Sequence, residues 1–372
     1  MHKTIIKPKS RFLLKKYIEN FSAKNILLLT GNNSFNLCGA SKFIKSLNLN
    51  KQITRYKVKF QNIEFEEAKK IVNFLDRNKF DLLVSIGGGS VIDMGKTVNA
   101  LRGYRGNKKQ FLDNAVSINY NLLPFIAMPT TSGTGSEETH FAVVYDKKKK
   151  YSVADKKLKP FLSIVDPEFT YSLPSNITAY CGFDALSQAV ESYWSVSASR
   201  ESKIFSKASI KIIIENLENA VNRNFKTAKN NMCVAANYSG KAINISKTTA
   251  PHALSYEISR LLNIPHGYAV ALTLGKFFEI NESSKKNEIQ IDFKTHKKNL
   301  KKLYGFFKVK NCIEAEKKWY DLMKKCNLEV DFKVLKLNLK KNVRKIIKNI
   351  NIERLKNHPT ILEKNQIERI FI

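Results

Sequence analysis

The chain is poor in the residues that would place it in an oxidising compartment or a membrane. Its five cysteines (Cys38, Cys181, Cys233, Cys312 and Cys326) are scattered, odd in number and without C-x-x-C spacing, so neither a disulfide framework nor a zinc–thiolate site is expected. No apolar signal-like stretch lies near the start, and no uncharged apolar run reaches the ~18 residues of a spanning helix. The expectation is a soluble, cytoplasmic protein with no membrane partner. Acidic residues are also few: 32 Asp and Glu stand against 64 Lys and Arg, a formal net charge of +32. A basic surface attracts polyanions, but the excess is mostly lysine dispersed among many Ile and Asn, and no nucleic-acid-binding motif accompanies it. The tetralysine Lys147 to Lys150 reads as a hairpin tip between FAVVY and YSVAD. No nucleic-acid partner is expected, although such a field would steer a small anionic substrate. Histidine is scarce too. Two of the six, His252 and His266, fall in one mostly apolar run, PHALSYEISRLLNIPHG.

With 372 residues, 43% of them hydrophobic, the chain can bury ample core and is expected to form two domains. Through residue 168 strands and helices alternate. NILLLTG reads as a buried strand, followed by a helix near residues 38 to 48 and the alternating strand ITRYKVKF. The amphipathic helix EFEEAKKIVNFLDR leads to the apolar strand DLLVSIGGGS, the helix VIDMGKTVNALRG and the strand of LLPFIAMPTTSGTGSE. This order predicts an α/β domain with a mainly parallel sheet covered on both faces. From about Ser175 onward the pattern is helical, as in SKIFSKASIKIIIENLENAV, KKWYDLMKKC and NQIERIFI, with Pro167 and Pro174 marking the change between Asp166 and Ser175. The lysine-rich stretch Ser283 to Lys302 reads as solvated helix faces.

Three constellations carry chemistry. Gly87, Gly88, Gly89 and Ser90, with Asp93 and Lys96 following, stand at a strand-to-helix junction. Glycines there admit an oxyanion to backbone N–H groups at a helix N-terminus, and a pyrophosphate is the natural occupant. The spacing is not G-x-G-x-x-G, and the run follows the third strand read from the sequence, not the first. Thr130, Thr131, Gly133 and Thr134 lie in PTTSGTGSE at a second strand end and offer hydroxyls to the same dinucleotide. Asp184, in the helical segment TAYCGFDALSQAVESYWS, joins His252 and His266 as the carboxylate and imidazoles that a divalent first-row metal takes around an open position. Gln188 lies one turn after Asp184 on the same face, where a stronger ligand would be expected.

The segments GGGSVIDMGK, PTTSGTGSE, GFDALSQAVES and HALSYEISRLLNIPHG, in this order and spacing, resemble the iron-containing (group III) alcohol dehydrogenases over nearly the whole chain. The resemblance implies the dehydroquinate synthase-like fold: an α/β dinucleotide-binding domain (1–168) and an all-α metal- and substrate-binding domain (169–372), with a cleft between them. It implies an oxidoreductase acting on CH–OH with NAD(P), Fe²⁺ or Zn²⁺ held by Asp184, His252 and His266, and a homo-oligomer. Gln188 replaces a histidine of many members and would offer a neutral carbonyl oxygen. Related glycerol dehydrogenases manage with one carboxylate and two histidines. Tyr256 stands where many relatives carry another histidine near the nicotinamide, and could pass a proton or shape the pocket. A lyase of the dehydroquinate synthase type shares the architecture but not this form of the motifs.

A finer resemblance lies in SQAVESYWSVSASRES, SGKAINISKTTAPHALSYEIS and PHGYAVALTL, which look like the phosphonoacetaldehyde reductases of phosphonate biosynthesis. It implies reduction of phosphonoacetaldehyde to 2-hydroxyethylphosphonate. The alternative is another member of the family acting on a simple alcohol, diol or hydroxy acid. A phosphonate needs cationic partners, and Lys241 and Lys247 lie just before His252, with Arg200 a weaker candidate. For the cofactor, NAD-preferring folds place an acidic side chain after the first strand to bond the ribose 2′-OH. Here LLLTGNNSF offers Gly31, Asn32, Asn33 and Ser34 and no carboxylate, so NADPH is expected over NADH, with Asn32 and Ser34 near the ribose.

Overall fold

The structure, a computed structural model, describes residues 2–59, 63–113, 117–147, 149–335, 339–348, 350 and 352–371. The chain divides into two units, Met1–Leu173 and Pro174–Ile372. The division lies within the interval Asp166 to Ser175, a few residues beyond 168.

The first unit is built on a six-stranded sheet in the order β1-β8-β5-β4-β2-β3. Its strands are β1 (Lys3–Ile6), β2 (Asn25–Thr30), β3 (Gln52–Lys57), β4 (Leu82–Gly87), β5 (Phe125–Pro129) and β8 (Leu162–Val165). Every neighbouring pair is parallel. Successive side chains of a strand point to opposite faces. Leu27, Leu29, Leu83 and Ala127 accordingly join one core, and Ile26, Leu28, Leu82, Val84, Ile126 and Met128 join another. Covering both faces explains why NILLLT and LLVSIG read as continuous apolar runs. The first core is closed by α4 (Phe65–Arg77) and α5 (Gly89–Arg102), the second by α1 (Leu13–Asn20), α2 (Ser34–Leu37) and α3 (Ala40–Ser46). In α4 the buried Phe65, Ala68, Ile71, Val72 and Leu75 recur at helical spacing. Glu66 and Glu67 in its first turn and Arg77 in its last complement the helix dipole.

Two strands differ from the expectation. β1 and β8, four residues each, were not anticipated, so the glycine run follows β4 and the strand NILLLT is the second. The anticipated lysine hairpin is present as β6 (Phe141–Asp146) and β7 (Lys149–Ala154), paired antiparallel; Lys148 at its tip lies outside the described residues, as does Phe60 at the end of ITRYKVKF.

The second unit is helical. After α6 (Lys108–Leu112) of the first unit come α7 (Ser175–Trp194), α8 (Arg200–Asn222), α9 (Lys226–Ser246), α10 (Ala250–Leu262), α11 (His266–Leu274), α12 (Lys276–Ser283), α13 (Phe293–Phe307), α14 (Cys312–Lys325), α15 (Leu339–Lys348), α16 (Ile352–Lys356) and α17 (Lys364–Arg369). From Gly182 to Trp194 α7 is buried on every face. It is therefore the central helix, packed by α8, α9 and α11. Ser199 caps α8 by accepting from Ser202 N at 3.1 Å, and Asp292 caps α13 by accepting from Thr295 N at 2.7 Å. Only part of the lysine-rich stretch is the solvated helix expected of it. Lys286–Glu288 is a single 3₁₀ turn, α13 starts at Phe293, and His296, Leu300 and Leu303 bury one face of it. No helix among the described residues is long and apolar enough to cross a membrane.

Candidate active site

In the first unit, Gly87 ends β4 in register with Pro129 of β5, so the two glycine-rich segments leave the sheet side by side. Thr130 N donates to Gly87 O at 3.0 Å and fastens one to the other. Gly88 is the N-cap of α5 and Gly89 its first residue, with Ser90 in the first turn and no acidic side chain there. A Cβ on Gly89 would lie 2.5 Å from Thr134 Oγ1, and one on Gly88 3.4 Å from Thr131 Oγ1. The threonines thus close over bare backbone, and Gly133 lies buried between them. This is a cradle of N–H and hydroxyl groups at a helix N-terminus, suited to a pyrophosphate.

Asp93 and Lys96, expected beside the phosphates, have another job here. Asp93 accepts from Ser136 Oγ and, at 2.9 Å, from Val143 N. Lys96 is fully buried, and its Nζ donates to Ser136 O (2.6 Å), Thr139 Oγ1 (2.8 Å) and Phe141 O (2.9 Å). Burial pushes its ammonium down to about 8, against the opposing pull of Asp93 and Glu137. Both side chains tie α5 to the segment after the second glycine run, and they act on that loop's shape from inside the domain. Asn32 and Ser34 follow β2. The Asn32 carbonyl accepts from Arg55 Nη2 at 3.5 Å, and a Cβ on Gly31 would lie 2.2 Å from Ser34 Oγ.

In the second unit the structure brings Asp184, His252 and His266 together, with one candidate ligand atom from each within 4.8 Å of the others. Asp184 and His252 are buried. Gly267, the last residue of PHG, permits the approach of α11 to α7. A Cβ there would stand 2.2 Å from Tyr180 O and 2.7 Å from the Asp184 Cβ.

The hydrogen bonds around the two imidazoles decide which nitrogen carries a lone pair. Ser255 Oγ donates its only proton to His252 O at 2.7 Å, so at 3.2 Å it accepts from His266 Nδ1. His252 Nδ1 donates to Glu191 Oε2. Each ring therefore presents Nε2 as its basic nitrogen. The His252 Nε2 lies 3.4 Å from Asp184 Oδ1, yet that buried oxygen accepts no hydrogen bond among the described residues. Burial opposes a charge on His252, but Glu191 and Asp184 outweigh it and push the imidazole up to about 9. A pocket that stabilises a positive charge, holds an unsatisfied carboxylate oxygen and adds two imidazole donors fits a divalent metal.

Glu191 was not anticipated. It is completely buried on α7, and its Oε1 accepts from Thr249 N (2.9 Å), Thr249 Oγ1 (2.9 Å) and His252 N (3.3 Å). One carboxylate thus caps the N-terminus of α10 and fixes the ring of His252. Trp194 Nε1 donates to the same Thr249 hydroxyl at 3.1 Å.

Gln188 is buried one turn from Asp184, with its Oε1 3.0 Å from Ser239 Oγ of α9. That hydroxyl also lies 2.9 Å from Ala236 O, and its single proton serves one of the two carbonyls. Tyr256 stacks on His266, with ring centroids 5.5 Å apart at 23°. Lys241 Nζ lies 5.7 Å from the Phe205 and Tyr238 ring centroids. Arg200 begins α8.

Lys247 has an uncommon backbone. It ends α9 with φ 60° and ψ −176°, a region occupied almost only by glycine. The flanking carbonyls of Ser246 and Thr248 both accept from Asn357 Nδ2, at 2.8 and 3.0 Å, and Thr248 Oγ1 accepts from Arg354 Nη1. The conformation is clamped from both sides.

A parallel-sheet unit with a dinucleotide cradle and a helical unit with a carboxylate–imidazole cluster together mark the fold of the group III alcohol dehydrogenases. The chain belongs to the iron-containing alcohol dehydrogenase family: the family's model, "Iron-containing alcohol dehydrogenase", matches residues 2–167, and that of its C-terminal domain matches 178–372. The family uses a nicotinamide dinucleotide and a divalent metal. Long-chain-alcohol dehydrogenase 1 of Geobacillus thermodenitrificans is 36% identical over 212 residues, covering 56% of this chain and 54% of that one. The chain thus spans about half the length of the curated relatives it matches. Among solved structures, sulfoacetaldehyde reductase from Bifidobacterium kashiwanohense in complex with NAD⁺ superposes with a TM-score of 0.87 at 24% identity, covering 100% of this chain and 96% of that one. An iron-containing alcohol dehydrogenase from Thermotoga maritima does so at 0.81 and 25% identity, with the same coverage.

Proposed function

We propose that the protein reduces a small aldehyde bearing an anionic group, using NADPH and a divalent metal, Fe²⁺ or Zn²⁺, and that the aldehyde is phosphonoacetaldehyde. The balanced reaction adds one hydride to the carbonyl carbon and one proton to its oxygen. Asp184, His252 and His266 would hold the metal, which would supply Lewis-acid polarisation of that oxygen, and a bound reduced nicotinamide would supply the hydride. The chain's own residues prepare the site. Glu191 and Ser255 hold the two imidazoles with Nε2 as the basic nitrogen. The Tyr256 ring fixes the His266 plane from one side, and its hydroxyl is a candidate for delivering the proton. The glycine and threonine segments after β4 and β5 take the pyrophosphate.

The observation that carries the anionic part is the backbone of Lys247. A lysine held where glycine belongs costs about 1–3 kcal/mol, and strain of this kind is retained where a side chain serves a function. Lys247 is exposed at the end of α9, two residues before the threonine that bonds Glu191. A cation at that point would give an anionic substrate remote binding energy for orienting its carbonyl, with Lys241 further back on the same helix. Sulfoacetaldehyde, from which one relative of the same fold takes its name, is an aldehyde of the same build.

The test compares kcat/KM for phosphonoacetaldehyde with that for an uncharged aldehyde of similar length. A preference of tenfold or more for the phosphonate is expected, and equal efficiency would refute the assignment.

A further inference from the structure

Arg55 occupies the sheet edge where the adenosine half of a dinucleotide would lie, and nothing in the metal or pyrophosphate chemistry explains it. It stands on β3 in register with Leu28 of β2. Its side chain runs along β2 to that strand's carboxyl end, where Nε donates to Thr30 Oγ1 at 2.8 Å and Nη2 donates to Gly31 O at 3.2 Å and Asn32 O at 3.5 Å. The guanidinium carbon sits 4.1 Å from the Phe35 ring centroid. All of these partners are neutral. No acidic side chain pairs with Arg55 among the described residues, and burial alone draws it below the ordinary guanidinium value.

A guanidinium has five N–H groups. Three are used on the loop, and the two on Nη1 meet no acceptor among the described residues. A partly desolvated cation with unused donors and no counter-ion favours an anion, and guanidinium geometry matches phosphate oxygens in particular. The contacts to Thr30, Gly31, Asn32 and Phe35 also fix its orientation before any ligand arrives, which lowers the entropy cost of binding.

The location fits. β2 lies between β4 and β3 in the sheet, so the ends of β2 and β3 stand roughly 5 and 10 Å along the edge from the glycine run after β4. From a pyrophosphate at that run, the ribose reaches the β2 end. Segment 31–34 holds no carboxylate to take a ribose 2′-OH, and the absent side chain at Gly31 leaves room for Ser34 Oγ.

We propose that Arg55 reads the 2′-phosphate of NADPH, with Ser34 as a second donor, and is the residue that sets the cofactor preference. This rests on the dinucleotide reading above and deepens it. Isothermal titration of the full-length protein with NADP⁺, NAD⁺, 2′,5′-ADP and 5′-AMP separates the two. The unmodified protein is expected to bind NADP⁺ and 2′,5′-ADP at least tenfold tighter than NAD⁺ and 5′-AMP. Arg55→Met should remove that margin while leaving NAD⁺ and 5′-AMP within about twofold, and Arg55→Lys should restore part of it. Equal affinity for the two dinucleotides, or an Arg55→Met variant that weakens all four ligands alike, would overturn the proposal and leave Arg55 a structural tie. Failure of the unmodified protein to bind either dinucleotide would overturn the cofactor reading itself, and this inference with it.

Discussion

Replacing Lys247 by glycine should stabilise the protein and impair it at once. At φ 60° and ψ −176° the lysine backbone is strained by about 1–3 kcal/mol, which glycine relieves because it has no Cβ. Against this, glycine adds about 0.5–1 kcal/mol of unfolded-state entropy. The clamp from Asn357 to the Ser246 and Thr248 carbonyls is backbone-directed and survives the change. The balance is a gain of about 0–2.5 kcal/mol, read from the urea midpoint, or up to roughly 10 °C in Tm. Loss of one charged hydrogen-bond partner, worth about 1.5–3 kcal/mol, should raise KM for the phosphonate aldehyde roughly 10- to 100-fold and leave an uncharged aldehyde unaffected. Lys247→Ala separates the two effects: it removes the ammonium but keeps a Cβ in the strained region, so it should lose the substrate without the stability gain. The reasoning fails if Lys247→Gly destabilises the protein, or if it affects charged and uncharged aldehydes equally.

Three further outcomes follow from the helical unit. Glu191→Gln keeps the shape but removes the carboxylate that fixes His252. Metal affinity, measured by competition with a chromogenic chelator, should fall about 10- to 100-fold, and unchanged affinity would show that Asp184, His252 and His266 need no such support. Gln188→His exchanges an amide beside Ser239 for an imidazole. Metal content after dialysis should rise relative to the parent, and an equal or lower content would place position 188 outside the coordination sphere. His358 is fully buried with neither ring nitrogen hydrogen-bonded among the described residues, and burial, with a smaller contribution from His296, pushes it down to about 3. Between its ordinary 6.5 and about 3 the unfolded chain binds a proton that the folded chain refuses, so stability falls on acidification by up to about 1.4 kcal/mol per pH unit and is unaffected above that window. His358→Phe, placed among Trp194 and Phe277, should flatten this part of the denaturation profile; an unchanged slope would assign the acid sensitivity to other groups.

Much of the fold was legible because local pattern and tertiary role coincide. The unbroken apolar runs of β2, β4 and β5 already require a sheet covered on both faces, and α4 declares its buried stripe. β1 and β8 were hidden: each is four residues long, too short for a period to emerge, and each is a strand only because of partners far away in sequence. The metal-site candidates were readable as residue types, since a carboxylate and two imidazoles are chemically conspicuous. Glu191 was not, because a glutamate in a helix gains meaning only when the start of another helix arrives against it. Lys96 and Asp93 misled for the converse reason. Their spacing after the glycines suits a phosphate, while the space they point into is filled by residues 136–143. No residue pattern announces the backbone angle at Lys247 or the path of Arg55 along β2.

The pairing of β1 with β8 bears on how the chain emerges during synthesis. Among the described residues Lys3–Ile6 has its sheet neighbour in Leu162–Val165 alone, so β1 waits for a strand synthesised much later. At 5–20 residues per second that interval is about 10–30 s. Throughout it Ile5 and Ile6 present an unpaired edge on a chain still tethered to the ribosome, and the growing sheet lacks its closing strands. Completion of this sheet therefore requires translation past residue 165.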